Sequence, residues 1–492
     1  MSTAQHTGTR RTTGTSAAVG FLIVMEFGSG LLQGWYPPLL TSIGQEHGTS
    51  AAALNWVNAI FLLASVACVP IIAKLGDMYG HRRMLVASAA AVAVGSFVVA
   101  FAPSFAVLLA GRALQAPLIA FLPLEFAIVR HRAPDRAGRN IGHLIGALTG
   151  GVIVGGFVAG WFMTRIDNLT VVLLVPGIML ALCVPVAHFL VRETTVRSAG
   201  RIDWAGAALL SAGLLMVLGG VSNGNAVGWG SPLIVALVAG GAATLAAFAV
   251  VENRTVNPLI DFRVLTKGRL VLPMLIAALL GAQSFGSQAP ISLFSRADPN
   301  AYGYGLGVSA TIAGLLLSIT ATGAFIASTI SDRIARALTP RYAVAFGALV
   351  SGAAYAAMIV SHDGVLTFSI WLFLLGFGIG TLAGVVPAII VSRAPEDSVG
   401  IASGVYNSSR TGAGSIAGAM FALLMSSLVT SVTVGEKTSS ISSFTSYATV
   451  WAICAALCIV IAVLSPFLDS RRPRTASETP APPAGENEPA PA

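Results

Sequence analysis

Apolar segments of about twenty residues recur along the whole chain, each bounded by a short polar or charged turn, and a helix needs roughly 20 such residues to cross the hydrocarbon core of a bilayer. Fourteen segments meet that length: residues 17–36, 52–72, 84–102, 105–129, 140–163, 169–191, 204–221, 231–251, 269–293, 308–330, 341–361, 366–391, 400–429 and 447–468. A water-soluble fold cannot absorb them. Only 10% of the 492 residues are charged and 55% are hydrophobic, whereas an ordinary soluble domain is about 25% charged. In lipid each segment must satisfy its own backbone polar groups, so segments of this length are predicted to be helices. The expected fold class is an all-α polytopic membrane protein.

An even number of crossings puts both termini on one side. If that side is the cytoplasm, the inner loops and termini hold 23 Lys and Arg, the outer loops hold three (Arg165, Arg296 and Lys437), and Arg112 and Arg410 fall inside spans. That asymmetry follows the positive-inside rule and predicts a multi-pass plasma-membrane protein with both termini cytoplasmic. The net charge of +8 comes from these flanking residues. They form no patch, so the charge does not point to nucleic acid. Residues 1–16 are polar and lead into the first span with no cleavable signal. They are expected to be a disordered cytoplasmic N-terminus. Residues 470–492, rich in Pro, Ala, Glu and Thr, cannot bury apolar surface and are expected to be a disordered tail. The cysteines, Cys68, Cys183, Cys454 and Cys458, all lie in apolar runs and are expected to be free thiols packed as small hydrophobes.

One turn carries more chemistry than the rest. Between the second and third spans the chain reads Ala73-Lys-Leu-Gly-Asp-Met-Tyr-Gly-His-Arg-Arg-Met-Leu85, with Asp77 three residues before Gly80 and His81, Arg82 and Arg83 directly after. The fourth span opens with Leu109-Ala-Gly-Arg112-Ala-Leu-Gln115. The seventh opens with Arg201-Ile-Asp203-Trp204-Ala-Gly206, and the eighth closes on Glu252, Arg254 and Pro258. The thirteenth carries Gly400-Ile-Ala-Ser-Gly404-Val-Tyr406-Asn407-Ser-Ser-Arg410. Taken in this order, over about residues 17–468, the chain resembles the fourteen-span drug:proton antiporter group of the major facilitator superfamily. The resemblance implies a major facilitator fold of two six-helix bundles plus two extra transmembrane helices. It divides the chain into 17–198 (spans 1–6), 199–262 (spans 7 and 8) and 263–469 (spans 9–14). Ser331-Asp332-Arg333 after span 10 echoes the Asp77 loop at the corresponding place, and substrate sites in such repeats lie near the midplane. The chain departs from the family pattern in four places: Ala73 replaces the leading Gly of the loop, Met78 a basic residue and His81 an Arg, and Gly151 takes the place of a Pro in span 5.

Ionisable residues inside spans cost a few kcal/mol on insertion scales and mark function by default. Glu26, in span 1, is the expected proton-coupling carboxylate, because a carboxyl in an apolar cavity can load and release a proton near neutral pH. Arg112 is its candidate partner, or else a structural cation of the first bundle. Gln33 and Gln115, on the faces of Glu26 and Arg112, are candidate cavity residues with Asn55, Asn58, Gln283 and Gln288. Tyr406, Asn407 and Arg410 form a comparable polar strip in span 13. Glu125, near the inner end of span 4, is expected to join Asp77, Gly80, His81 and Arg82 in a conformational latch. The family places an acid there, and a histidine can make such a latch pH-sensitive. Gly146, Gly150, Gly151, Gly155, Gly156 and Gly160 form overlapping small-xxx-small pairs that permit close helix packing.

No Walker loop, dinucleotide-binding turn or zinc motif is present, so the chain is expected not to be an enzyme. No cofactor or metal is implied, and the expected energy source is the proton gradient. The partners expected are a small-molecule substrate, protons and the lipid bilayer, with the protein functional as a monomer. The leading expectation is proton-coupled export of small amphipathic or cationic compounds, of the multidrug or antibiotic efflux type, by alternating access. The alternatives are a facilitator or proton symporter of a polar metabolite, and a non-transporting sensor or lipid-handling protein on the same fold.

Overall fold

The computed structural model describes residues 10–49, 51–163, 165–166, 168–194, 203–255, 270–395, 398–434 and 437–468. The first half contains α1 (Arg10–Trp35), α2 (Leu40–His47), α3 (Ala51–Tyr79), α4 (His81–Ala100), α5 (Phe105–Leu114), α6 (Phe121–Arg132), α7 (Ala137–Met163) and α8 (Leu169–Leu190). Next come α9 (Trp204–Val227) and α10 (Pro232–Arg254). The second half contains α11 (Val271–Gly286), α12 (Gln288–Arg296), α13 (Pro299–Tyr302), α14 (Ala310–Leu338), α15 (Pro340–Val360), α16 (Val365–Arg393), α17 (Val399–Ser427) and α18 (Phe444–Leu464). Among the described residues, 11 helical stretches are long and apolar enough to cross a membrane. Beyond these, α1, α9 and α17 run for 26, 24 and 29 residues.

Sequence and structure differ at several boundaries. The first helix begins at Arg10, inside the stretch expected to be disordered, and α9 continues to Val227. Residues 1–9, 195–202, 256–269 and 469–492 lie outside the described residues, and with them fall most of both predicted tails and both predicted limits of the extra pair. The fold is helical, as expected, with one short exception. Val429–Val434 (β1) and Lys437–Ser442 (β2) form an antiparallel hairpin, with Val429 opposite Ser442 and Val434 opposite Lys437. Three Val and two Thr among the six residues of β1 suit a pleated ladder. Ser443 N donates to Leu428 O at 2.9 Å across its base, and the Tyr304 hydroxyl donates to the Ser442 carbonyl.

The two halves pack by one scheme. In the first, α1 lies on α7, α4 on α8, and α3 on α5 and the 3-10 turn that follows it. In the second, α11 lies on α17, α15 on α18, and α14 on α16. Across the halves, α7 meets α14, and α3 and α6 meet α17. The extra pair sits over one of these seams, because α9 contacts both α3 and α17. Ala207, Leu210 and Phe248 form an apolar cluster there with Ile401, and Ser211 Oγ donates to Ala67 O at 3.4 Å.

Glycines set how close these helices come, and α7 uses two faces for two tasks. A Cβ at Gly151 would fall 2.1 Å from Phe27 O, and one at Gly155 would fall 2.2 Å from Leu31 O, so this face seats α1 at backbone contact. Gly142, Gly146 and Gly150 face Ser328, Thr329 and Phe325 of α14, in the other half. Gly156 and Gly160 are looser, at 3.4 Å from Gly34 O and 3.9 Å from Pro38 Cβ. Backbone oxygen cannot rotate away as a side chain can. Gly151→Ala is therefore expected to destabilise the purified protein by about 1–3 kcal/mol through overpacking, while Gly160→Ala stays near wild type. Thermal unfolding in detergent measures both, and an unchanged midpoint for Gly151→Ala would contradict the packing described.

Candidate functional site

The predicted fourth span is not one α-helix. α5 ends at Leu114, with Gln115 as its C-cap, residues Ala116–Ala120 form a 3-10 helix around Pro117, and α6 resumes at Phe121. A 3-10 segment winds more tightly than an α-helix, so α6 is rotated relative to a continuous α-helix over the same residues. It also runs on to Arg132, past the predicted end at 129. Glu125 thus lies about 10 Å from the helix end at 1.5 Å per residue. Both changes turn it away from the loop and into the bundle, where its carboxyl meets that of Glu26 on α1. The two carboxyls are buried, at 1% and 0% exposure. Their contact is loose. Glu26 Oε2 and both Glu125 oxygens are sealed from solvent without a well-formed hydrogen bond.

Arg112 does not reach Glu26, which corrects one of the two pairings weighed for it. Its Nε donates to Val57 O at 2.9 Å, Nη1 to Gln115 Oε1 at 2.6 Å, and Nη2 to Asn58 Oδ1 at 3.4 Å. The guanidinium lies 3.8 Å from the Tyr36 ring centroid and 4.6 Å from that of Phe61. Gln115 continues the network, its Nε2 donating to the Tyr36 hydroxyl at 2.8 Å and to Ser96 Oγ at 2.9 Å. One knot therefore ties α1, α3, α4 and α5. Among the residues expected in the cavity, Gln115 and Asn58 belong to this knot. Half-buried Gln33 donates to Ser29 Oγ at 3.3 Å, and the Asn55 side chain lies outside the described residues.

The expected Asp77–His81–Glu125 group is corrected at its third member. Asp77 Oδ1 accepts from His81 Nε2 at 2.9 Å. An ionised carboxylate can only accept, so Nε2 carries the proton. His81 Nδ1 hydrogen-bonds Thr194 Oγ1 at 2.9 Å, in place of any contact with Glu125. Asp77 also crosses to the other half, where its two oxygens accept from Gly400 N at 2.9 Å and Ile401 N at 2.8 Å. These amides open α17, and a carboxylate there satisfies orphan donors and meets the positive end of the helix dipole. A Cβ at Gly400 would fall 2.7 Å from Asp77 Oδ1, so the approach requires glycine. Gly80 has φ +114°, a conformation open to glycine, and turns the chain from α3 into α4.

Glu193, just past α8, carried no sequence signal beyond its charge. Its carboxylate accepts from Arg82 N at 3.0 Å, Arg83 N at 3.2 Å and Thr194 N at 3.1 Å, capping α4. Arg82 Nη1 donates to His188 O at 3.2 Å, and Arg132 Nη2 to Glu193 O at 3.0 Å. The residues before α9 thus clamp the 77–83 loop. The glycine contacts between the halves all lie from this basic face to mid-helix: Gly138, Gly142, Gly146 and Gly150 on α14, and Gly400 and Gly404 on α3.

In the second half, Gln283, Tyr406 and Asn407 are buried, and Gln288 is exposed. Tyr355 was not anticipated. Its hydroxyl donates to Gln283 O at 2.8 Å and lies 2.8 Å from Ser287 Oγ. Half-buried Arg410 sits 5.2 Å from the Phe285 ring centroid and 5.9 Å from that of Tyr406. Among the described residues no cluster of three His, Cys, Asp or Glu could hold a metal.

The two halves repeat one packing scheme, and residues 22–419 match the family model of the Major Facilitator Superfamily. The chain belongs to the major facilitator superfamily. Among similar members, the tetracenomycin C resistance and export protein of Streptomyces glaucescens is 25% identical over 396 residues, covering 78% of this chain and 71% of that protein. The puromycin resistance protein pur8 of Streptomyces alboniger is 25% identical over 391 residues, 77% and 76% of the two chains. The uridine/deoxyuridine transporter of Lactococcus lactis is also 25% identical over 391 residues, 75% and 78% of the two. The human organic anion transporter MFSD10 (TETRAN) shares the fold with a TM-score of 0.68 at 15% identity, over 92% of this chain and 99% of its own.

As a facilitator-fold protein, the chain depends on buried polar groups being paired. Gln115→Leu keeps much of the side-chain bulk but strips partners from Arg112, Tyr36 and Ser96. It is expected to cost roughly 2–4 kcal/mol, because it leaves a buried charge short of an acceptor. Asn58→Ala, removing one long bond, costs less than about 1 kcal/mol. Thermal unfolding ranks the two, and equal midpoints would contradict the knot.

Proposed function

We propose that this protein is a proton-coupled exporter of small amphipathic or cationic compounds, working by alternating access in the plasma membrane. The observation that carries the reading is the Glu26–Glu125 contact. Two carboxylates facing each other in an apolar bundle cannot both stay ionised without a cation, and Arg112 is spent elsewhere. The pair therefore holds a proton, and releasing it changes the charge at the heart of the first bundle. The two resistance-related relatives support export as the direction.

The remaining parts fit that cycle. α1, α9 and α17 join the 11 apolar stretches as further spans, making fourteen with both termini cytoplasmic. The basic face is then the cytoplasmic one, and the contacts of Asp77, Gly400 and the α7 glycines hold it closed. Opening it breaks the Asp77 cap, whose coupling to His81 and Thr194 links the seam to the loop clamped by Glu193. A gradient of protons is the energy source, no cofactor is needed, no enzymatic step is involved, and one copy of the chain holds the whole pathway.

A second reading, import or symport of a polar metabolite, is favoured by the similarity to the uridine/deoxyuridine transporter. Direction separates the two. In proteoliposomes of known orientation with an imposed pH gradient, puromycin or tetracenomycin C is expected to drive proton movement opposite to its own, and uridine to drive none. Glu26→Gln and Glu125→Gln are each expected to abolish that coupled proton flux while the protein still folds. A fully coupled variant of either kind would sink the assignment, and uridine-driven proton flux in the same direction as uridine would favour symport.

A further inference from the structure

Arg410 stands twelve residues into the 29-residue α17, near its middle. A cation at that depth costs about 2.5–3.5 kcal/mol on insertion scales, and buried charges are normally paired. Among the described residues Arg410 forms no ion pair; the Tyr406 hydroxyl is its polar neighbour, and its Nε is sealed from solvent without an acceptor. The contrast with Arg112 is direct. That guanidinium also lies over two aromatic rings, yet it donates to three oxygens. Aromatic faces attract a cation by about 0.5–2 kcal/mol, but they supply no countercharge.

The acids that might serve are committed elsewhere. Glu26 and Glu125 face each other. Asp77 is held by His81 and the α17 amides. Asp332 pairs with Arg336 at 3.1 Å, and Asp203 and Glu252 converge beside Gly206 at the far end of the extra pair. The setting of Arg410 is also fixed rather than loose. A Cβ at Gly281 would fall 1.9 Å from Arg410 O, and one at Gly414 would fall 2.7 Å from Phe285 Cβ, so glycines bring α11 and α17 together and hold the Phe285 ring beside the guanidinium.

We propose that Arg410 is an anion subsite for the transported compound, which presents a carboxylate or phenolate on a planar aromatic frame. The reading rests on the export function above and narrows its substrates, at this subsite, from amphipathic or cationic compounds to amphipathic anions. A guanidinium is a flat fork that matches a carboxylate with two parallel N–H···O bonds, and the partly exposed Phe285 ring beside it offers a face on which an aromatic ring stacks. A substrate anion supplies the countercharge that the protein omits. A substrate cation at the same place meets like charge.

The test uses two xanthene dyes of one frame and opposite charge, fluorescein and rhodamine 123. Binding to the purified full chain is read by fluorescence anisotropy. The wild type is expected to bind fluorescein at least about tenfold more tightly than rhodamine 123. Arg410→Gln removes that preference, and Arg410→Lys, a point charge without the fork, keeps only part of it. Should Arg410→Gln fail to fold, fluorescein protection of Arg410 from phenylglyoxal on the wild type, read by mass spectrometry, answers the same question. Equal affinity for the two dyes, wild-type fluorescein affinity in Arg410→Gln, or no protection would each overturn the proposal. Binding needs no gradient, so failure of proton coupling and failure of this subsite show separately.

Discussion

Two carboxyl groups that meet inside the first bundle set the electrostatic terms for everything around them. Glu26 and Glu125 come from helices far apart in sequence, and neither finds a basic partner among the described residues. The only buried cation of that bundle, among the described residues, is held in a separate knot by Val57 O, Gln115 and Asn58. Keeping the cation away matters physically. A neighbouring guanidinium would fix the carboxyls in their charged form, whereas a pair left to itself keeps a proton that can be exchanged.

The proposed charge switch is useful only if it biases a two-state element, and the proposal assigns that role to the seam between the halves. It is closed at the basic face by one carboxylate on two backbone amides and by glycines that let α7 and α14, and α3 and α17, touch. The extra pair, α9 and α10, lies across the α3–α17 seam and must follow any movement there.

Much of this was legible in the sequence, and the limits have physical causes. The helices follow from apolar length. The Asp77–His81 contact follows from i, i+4 spacing at the end of one helix and the start of the next, joined by Gly80. The partner of Glu125 was misread because one 3-10 turn around Pro117 rotates everything after it. Thr194 and Glu193 sit more than 100 residues from the loop they clamp, and no local pattern marks such a contact. The glycine run of α7 was visible as a packing motif. Its division between α1 and α14 depends on which helix lies on which side, which periodicity does not encode. The β1–β2 hairpin was hidden because its Ser- and Thr-rich strands read as a loop.

The proton proposed to be shared by Glu26 and Glu125 can be sought directly. Infrared difference spectra of the full chain in lipid, taken between acidic and alkaline buffer, report the C=O stretch of a protonated carboxyl. A band that is present in the wild type and lost or shifted in both Glu26→Gln and Glu125→Gln is the expected result. A band insensitive to one of the two substitutions, or no band at all, would contradict a proton held between them.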